Sequence, residues 1–377
     1  MTYSHELPSW PQFEWKQDRL TNQLAQVRHR QGHLLGQMQA LGFSSQSEAA
    51  LQTLTSDVLN TSEIEGEHLD APTVRSSVAR HLGLDIGALK PKDRHVEGIV
   101  EVMLDATRHF SRPLTAKRLF AWQAALFPTG QRGFHKIATG AWRKDSTGPM
   151  QVISGPLGKE KVHFEAPAAQ RLKIEMPQFL EWFNAAATTD PVLKAAQAHL
   201  WFVTVHPFED GNGRIARAIA DMALARSEFT PERFYSMSTQ IQEERAAYYR
   251  ILETTQKSPT LDITPWMEWF LACLGRAIER SHTALAGVRQ RATFWQSTAT
   301  VPINGRQRQI LNRLLNGFEG KLTTSKYAQL TKCSQDTALR DIQALAQQGV
   351  LLRNSEGGRS TTYALAEIIP QSLFTRA

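Results

Sequence analysis

Residues 206–217 read HPFEDGNGRIAR and bring a histidine, a carboxylate, a glycine-bounded turn and two arginines into one short run. His206 has the ordinary pKa of a general base near neutrality. Asp210 offers a hard oxygen to Mg²⁺, which takes one or two carboxylates alongside phosphate oxygens. Gly211, Asn212 and Gly213 form a turn whose backbone N–H groups can approach an anion. The helix expected over 214–226 aims the positive end of its dipole at the same place. Arg214 and Arg217 lie three apart and share a face of that helix. Two guanidinium forks beside an amide nest suit a triphosphate.

As a whole, HPFEDGNGRIAR matches HPFx(D/E)GN(G/K)RxxR at every fixed position, and in this it resembles the Fic family. The resemblance implies that His206 deprotonates a target hydroxyl and that Asp210 binds Mg²⁺. It further implies that Gly211, Asn212, Gly213 and Arg214 hold the α- and β-phosphates of ATP, with Arg217 on the γ-phosphate. The target oxygen would attack the α-phosphorus and pyrophosphate would leave. The expected activity is transfer of AMP to a hydroxyl of another protein or of the chain itself. Three other readings stay open. The group moved is UMP, phosphocholine or phosphate; or AMP is removed from a modified protein, with Glu65 orienting a water; or the chain is a DNA-binding regulator whose Fic body senses nucleotide.

Residues 61–66, TSEIEG, fit the Fic inhibitory pattern (S/T)xxxE(G/N). Thr61 and Glu65, four apart, share a helix face. The resemblance implies that Glu65 takes Arg217 from the γ-phosphate, one Arg–carboxylate pair competing with one Arg–phosphate pair. Because the pattern precedes the core, the inhibitory helix is N-terminal. The stretch 148–167 alternates between apolar and polar residues, with turn-forming Gly and Pro, and reads as a β-hairpin. By resemblance it is a flap that docks the target as an added strand. Met150, Gln151, Val152, Ile153 and Ser154 form its edge, with Gln151 or Ile153 contacting the substrate. The resemblance places the adenine pocket near 242–255, where Tyr248 and Tyr249 are the candidates.

The elements that must position these residues are helical. Apolar residues recur at three- and four-residue spacing over 20–41, 47–66, 96–110 and 115–126. Gly66 ends the second of these, and Asp190-Pro191 opens a helix running to Val205. After a linker at 297–306, a small basic segment follows; residues 301–377 hold ten Lys/Arg and five Asp/Glu. Helices at 306–315, 323–333 and 334–350, then strands flanking a Glu-Gly-Gly turn within 351–365, read as a winged helix-turn-helix. Gln335, Asp336, Thr337 and Arg340 would meet a DNA groove, with Arg353 and Arg359 near phosphates. Asp336 and Asp341 are poorly placed for that contact.

The expected fold is mainly α: a Fic helical core with a β-hairpin flap, plus a small C-terminal winged helix-turn-helix domain. The expected division is 1–95, an N-terminal helical region with the inhibitory motif; 96–296, the catalytic core; and 297–377, the winged-helix-like domain. The chain has 377 residues, 41% hydrophobic and 21% charged, with a net charge of +7, which fits a soluble multidomain protein. Cys273 and Cys333 lack the spacing of a disulfide framework or zinc site. No apolar run is long enough to span a membrane, and the N-terminus lacks the features of a secretory signal. A cytoplasmic protein is therefore expected. The partners expected are an unidentified protein substrate, the chain itself, DNA through 303–366, and, from the resemblance alone, a second copy in a homodimer.

Overall fold

A computed structural model describes residues 2–87, 89–132, 135–146, 148–155, 159, 161–186, 188–315, 317–318, 320–354 and 361–366. Mostly helical, it divides into two compact units, 1–40 with 47–282 and 41–46 with 283–377. Among the described residues no helix is long and apolar enough to cross a membrane.

The larger unit is built on α1 (Gln17–Gln39), α2 (Phe43–Ile64), α3 (Ala71–Leu82), α4 (Arg94–Arg108) and α5 (Ala116–Leu126). Helix α3 was not anticipated from the sequence. Its signals are local: the Asp70 carboxylate accepts the Thr73 amide, Pro72 sits in the first turn, and Gly83 closes the helix at φ 69°. Two short hairpins follow, β1 (Gln131–Arg132) with β2 (His135–Lys136), and β3 (Gln151–Ser154) with β4 (Lys161–Glu165). Then come α6 (Leu172–Asn184), α7 (Pro191–Val205), α8 (Asn212–Glu228), α9 (Met237–Glu243), α10 (Arg245–Gln256) and α11 (Thr264–Ala284).

Helices α7 and α8 form the centre. Every residue of α7 from Val192 to Val205 except Lys194 is buried, which marks a core helix. Its alanines at 195, 196 and 198 and those of α8 at 216, 218, 220, 223 and 225 are all buried. The C-terminal half of α2 is pinned to the segment after α8. Asp57 accepts the Ser236 hydroxyl, and Asn60 donates to Thr239 Oγ1 at 3.1 Å. Burial, reinforced by Asp221, pushes Asp57 up to about 7.

The smaller unit contains α12 (Ala286–Ser297), α13 (Gly305–Leu315), α14 (Thr324–Thr331), α15 (Gln335–Gln347) and the antiparallel pair β5 (Leu351–Arg353) and β6 (Tyr363–Leu365). Its core joins Phe294, Ile310, Leu311, Tyr327, Ile342 and Leu345. This is the expected helix-turn-helix with a two-stranded wing. Ser334 caps α15 by accepting the Thr337 amide. Gln335, Asp336 and Arg340 are exposed and Thr337 is half-buried. Asp341 is not on that face. It turns inward to Arg306 at 2.8 Å and to the Tyr327 hydroxyl at 3.0 Å. Arg359 and the Glu-Gly-Gly turn at 356–358 lie outside the described residues.

Candidate active site

Helix α7 stops at His206, which adopts φ 50° and ψ 58°. A left-handed backbone is sparsely populated for a side chain of this kind and is held only where its surroundings insist. Arg143 does the holding. Its Nε donates to the His206 carbonyl at 2.7 Å, another arm donates to Pro167 O, and its amide donates to Pro207 O at 2.9 Å. The guanidinium is buried and paired with Asp145 at 2.6 Å. Sequence reasoning missed Arg143, since a lone arginine between Trp142 and Lys144 reads as solvated.

The half-buried His206 ring places Nδ1 3.2 Å from Val203 O. A carbonyl only accepts, so Nδ1 carries the proton and Nε2 keeps its lone pair. Burial lowers the pKa to about 4, overriding the Val203 bond, which raises it. Glu65 also raises it, so removing Glu65 moves it no higher. Acting as the base expected from the sequence, His206 would have to be neutral. In a Glu65→Gly enzyme, kcat/KM for the ATP reaction is therefore expected to stay level from neutrality down to about pH 5. It should then fall as His206 protonates near pH 4. A midpoint near pH 6.5 would show an unperturbed imidazole and contradict this geometry.

The loop after His206 is closed by Asn212. Its Oδ1 accepts the Phe208 amide at 2.9 Å and its Nδ2 donates to Phe208 O at 2.8 Å. Asn212 thus shapes the loop with its side chain, leaving its backbone amide for an anion. Helix α8 begins at Asn212, two residues earlier than expected, because Gly211 at φ 86° turns the chain directly into it. The amides of Asn212, Gly213 and Arg214 therefore lie in the first turn, where no intrahelical carbonyl is available to them. Asp210 lies at the mouth of this nest, its Oδ1 accepting the Gly211 amide at 2.6 Å.

Both arginines are buried and both are gripped by carboxylates. Arg217 donates through Nε to Thr61 Oγ1 at 2.8 Å. Its Nη2 reaches Thr61 O at 2.9 Å and Glu65 Oε1 at 2.8 Å. Nη1 makes no hydrogen bond among the described residues. Glu65 lies directly over the loop: a Cβ on Gly213 would collide with Glu65 Oε1 and fall 3.3 Å from Arg217 Nη1. Burial works against the Glu65 carboxylate, yet Arg217, with Arg214 and His206 behind it, holds its pKa below the ordinary value.

The partner of Arg214 was not anticipated. Glu67 Oε2 accepts from Arg214 Nη1 at 2.7 Å and lies 3.2 Å from His95 Nε2. Arg214 also stacks over Phe127, 5.0 Å from the ring centroid. Glu67, His95 and Phe127 line a cavity of about 600 Å³. The sequence signal for Glu67 was a second acid two residues beyond Glu65.

The tyrosine candidates part company. Tyr248 is inside the core, its hydroxyl 2.9 Å from His199 Nε2. Tyr249 is 39% exposed and donates to Ile64 O at 3.2 Å, beside Glu65. On the hairpin, Gln151, Ile153 and Ser154 are exposed, Ile153 by 54%, while Met150 and Val152 are half-buried. Among the described residues this sheet has two strands, so β3 has a free edge. Among the described residues no group of three or more His, Cys, Asp or Glu side chains is arranged to hold a metal by itself. A lone carboxylate at a phosphate nest still suits Mg²⁺, whose remaining ligands are phosphate oxygens and water.

Residues 113–224 match the Fic/DOC family, and residues 306–363 match the DeoR-like helix-turn-helix domain. The chain contains a Fic domain. Residues 3–84, ahead of it, match a domain of unknown function, DUF4172. Over 115 residues the chain is 30% identical to Protein adenylyltransferase Fic of Drosophila melanogaster, covering 30% of this chain and 22% of that protein. Over 108 residues it is 32% identical to Protein adenylyltransferase fic-1 of Caenorhabditis elegans, covering 28% and 20%. The alignment therefore spans about a fifth of each relative. The fold is similar to a Fic family protein from Desulfovibrio desulfuricans, with a TM-score of 0.54 at 19% identity over 93% of this chain and 96% of that one. It is also similar to a Fic domain containing signaling protein from Bacteroides thetaiotaomicron, with a TM-score of 0.51 at 20% identity over 71% and 97%. The matched segment is the Fic domain, and the relatives that share it are named adenylyltransferases.

Proposed function

We propose that this Fic protein transfers AMP from ATP to a protein hydroxyl and is held off by Glu65. The observation that carries the reading is Arg217 gripped by Glu65 at the edge of an amide-lined loop, with a neutral His206 at the other end. The amides of 212–214 and the two arginines would take the triphosphate. Asp210 would hold Mg²⁺, which supplies charge neutralisation at the phosphates when bound. His206 Nε2 would accept the proton of the attacking hydroxyl as it bonds to the α-phosphorus and pyrophosphate departs. Most of the rate enhancement then comes from positioning and electrostatic stabilisation. The exposed Ile153 on a free strand edge supports docking of the target on the flap. Label carried from α-labelled ATP onto protein tests the reading; label carried from γ-labelled ATP instead would make the chain a kinase.

Glu67 adds a second brake in the same proposal, because it occupies the arginine meant for the inner phosphates. In a Glu65→Gly background, Glu67→Gln is expected to tighten ATP binding a further threefold to tenfold. That corresponds to about 1 kcal/mol for a partly exposed charged pair. Calorimetric titration with ATP reads it, and weaker binding would mean that Glu67 instead orients Arg214 for the nucleotide. DNA is the partner we propose for residues 303–366, supported by the exposed first turn of α15. Salt-dependent binding of duplex DNA by the full chain checks it.

A further inference from the structure

A second constellation lies outside the nucleotide loop. Ser154 Oγ is 2.6 Å from His163 Nε2, and His163 Nδ1 is 2.8 Å from Glu253 Oε2. The donors can be assigned from proton inventory. Hydrogen bonds from Lys257 and His163 hold the Glu253 pKa down to about 2, so Glu253 is a carboxylate and only accepts. With the imidazole neutral, as a base requires, Nδ1 would carry the proton and Nε2 the lone pair, into which the Ser154 hydroxyl would donate. Hydroxyl, imidazole and carboxylate stand in the order nucleophile, base, orienter.

The fold puts effort into this order. The register of β3 and β4 pairs Val152 with Phe164 and Ile153 with Val162, leaving His163 as the extra residue of a bulge. A bulge re-aims a side chain out of the ladder. A mere tie between hairpin and α10 would need only His163 and Glu253, since Ser154 and His163 already belong to one hairpin. The relay is linked to the nucleotide site through α10 and through Arg143. Glu253 follows Tyr249 by one helical turn, about 6 Å along α10, and Tyr249 touches Ile64 next to Glu65. Arg143 ties Pro167, just beyond β4, to the His206 carbonyl.

We propose that Ser154 is an acceptor of AMP on this chain, with His163 taking its proton and Glu253 positioning His163. The inference rests on the transferase reading above. Ser154 Oγ bonds to the α-phosphorus of ATP as the bond from that phosphorus to the bridging oxygen breaks. Pyrophosphate leaves, the serine proton passes to His163 Nε2, and the product is a phosphodiester of Ser154 with AMP.

The test uses the full chain carrying Glu65→Gly, incubated with ATP and Mg²⁺ beside cell-lysate proteins, with AMP located by peptide mass spectrometry. AMP is expected on Ser154. Adding His163→Gln should lower the share of AMP on Ser154 at least tenfold relative to AMP on other residues of the same sample. A flap merely tied down by His163 would lose AMP at all acceptors in proportion, which would overturn the relay. Ser154→Thr, which keeps the hydroxyl, should retain the adduct where Ser154→Ala loses it. AMP on other residues with Ser154 bare overturns the proposal and leaves the transferase reading standing. AMP on no residue of any protein overturns both. A dilution series separates transfer within one chain, which is independent of concentration, from transfer between copies.

Discussion

Glu65→Gly is expected to raise AMP transfer by about one to two orders of magnitude. Glu65 contributes one charge-assisted hydrogen bond to Arg217, and such bonds contribute roughly 1.5–3 kcal/mol. The upper end is discounted because the Glu65 side chain is 29% exposed; each ~1.4 kcal/mol is a factor of ten. The substitution also clears the space above Gly213, where the carboxylate now lies. Thr61 still holds Arg217 through two hydrogen bonds, so the guanidinium should stay in place while its Nη2 becomes available to the γ-phosphate. Label from α-labelled ATP on the chain and on lysate proteins measures the effect. Equal labelling by wild type and variant would show that Glu65 is not the brake.

His206→Ala in the same background is expected to lower transfer to lysate proteins by about 10²–10⁴-fold, the usual contribution of a positioned base. ATP affinity should change little, because the phosphates are assigned to the amides of 212–214 and to the arginines. Alanine is poorly suited to the left-handed backbone at this position, so His206→Asn is the cleaner variant. Asparagine tolerates that conformation and cannot serve as a base. If both variants lose ATP affinity along with transfer, His206 acts by shaping the loop rather than by moving a proton. Any AMP remaining on the chain itself should sit on Ser154, whose proton has its own route to His163.

The parts of the site legible in the sequence were those in which residue type and spacing alone define a job. HPFEDGNGRIAR fixed the order of base, carboxylate, turn and arginines because one loop and one helix carry all of them. The pairing of Glu65 with Arg217 was legible only through the resemblance of TSEIEG to the Fic inhibitory pattern. What the sequence left hidden depends on distant segments meeting. Arg143 acts on a carbonyl 63 residues away. Glu67 reaches Arg214 across 147 residues, and His163 meets Glu253 across 90. Spacing says nothing about such meetings. Helix α8 was read two residues short because Asn212 and Gly213 look like turn formers, whereas Gly211 alone makes the turn. Tyr248 and Tyr249 were indistinguishable as neighbours in sequence, and only the packing against His199 puts one of them inside the core.

The grip of Thr61 and Glu65 on Arg217 comes from a helix of the same chain. An inhibitor carried on the chain acts at a local concentration fixed by its tether, so dilution does not weaken it. Under the proposed autoinhibition, ATP would have to outcompete a rival that never diffuses away. The resting state should then be insensitive to how much of the protein is present and responsive instead to whatever loosens the anchorage of α2 at Asp57 and Asn60. A ligand or partner would not need to touch the nucleotide loop to switch the enzyme on; a pull at the other end of that anchorage would suffice.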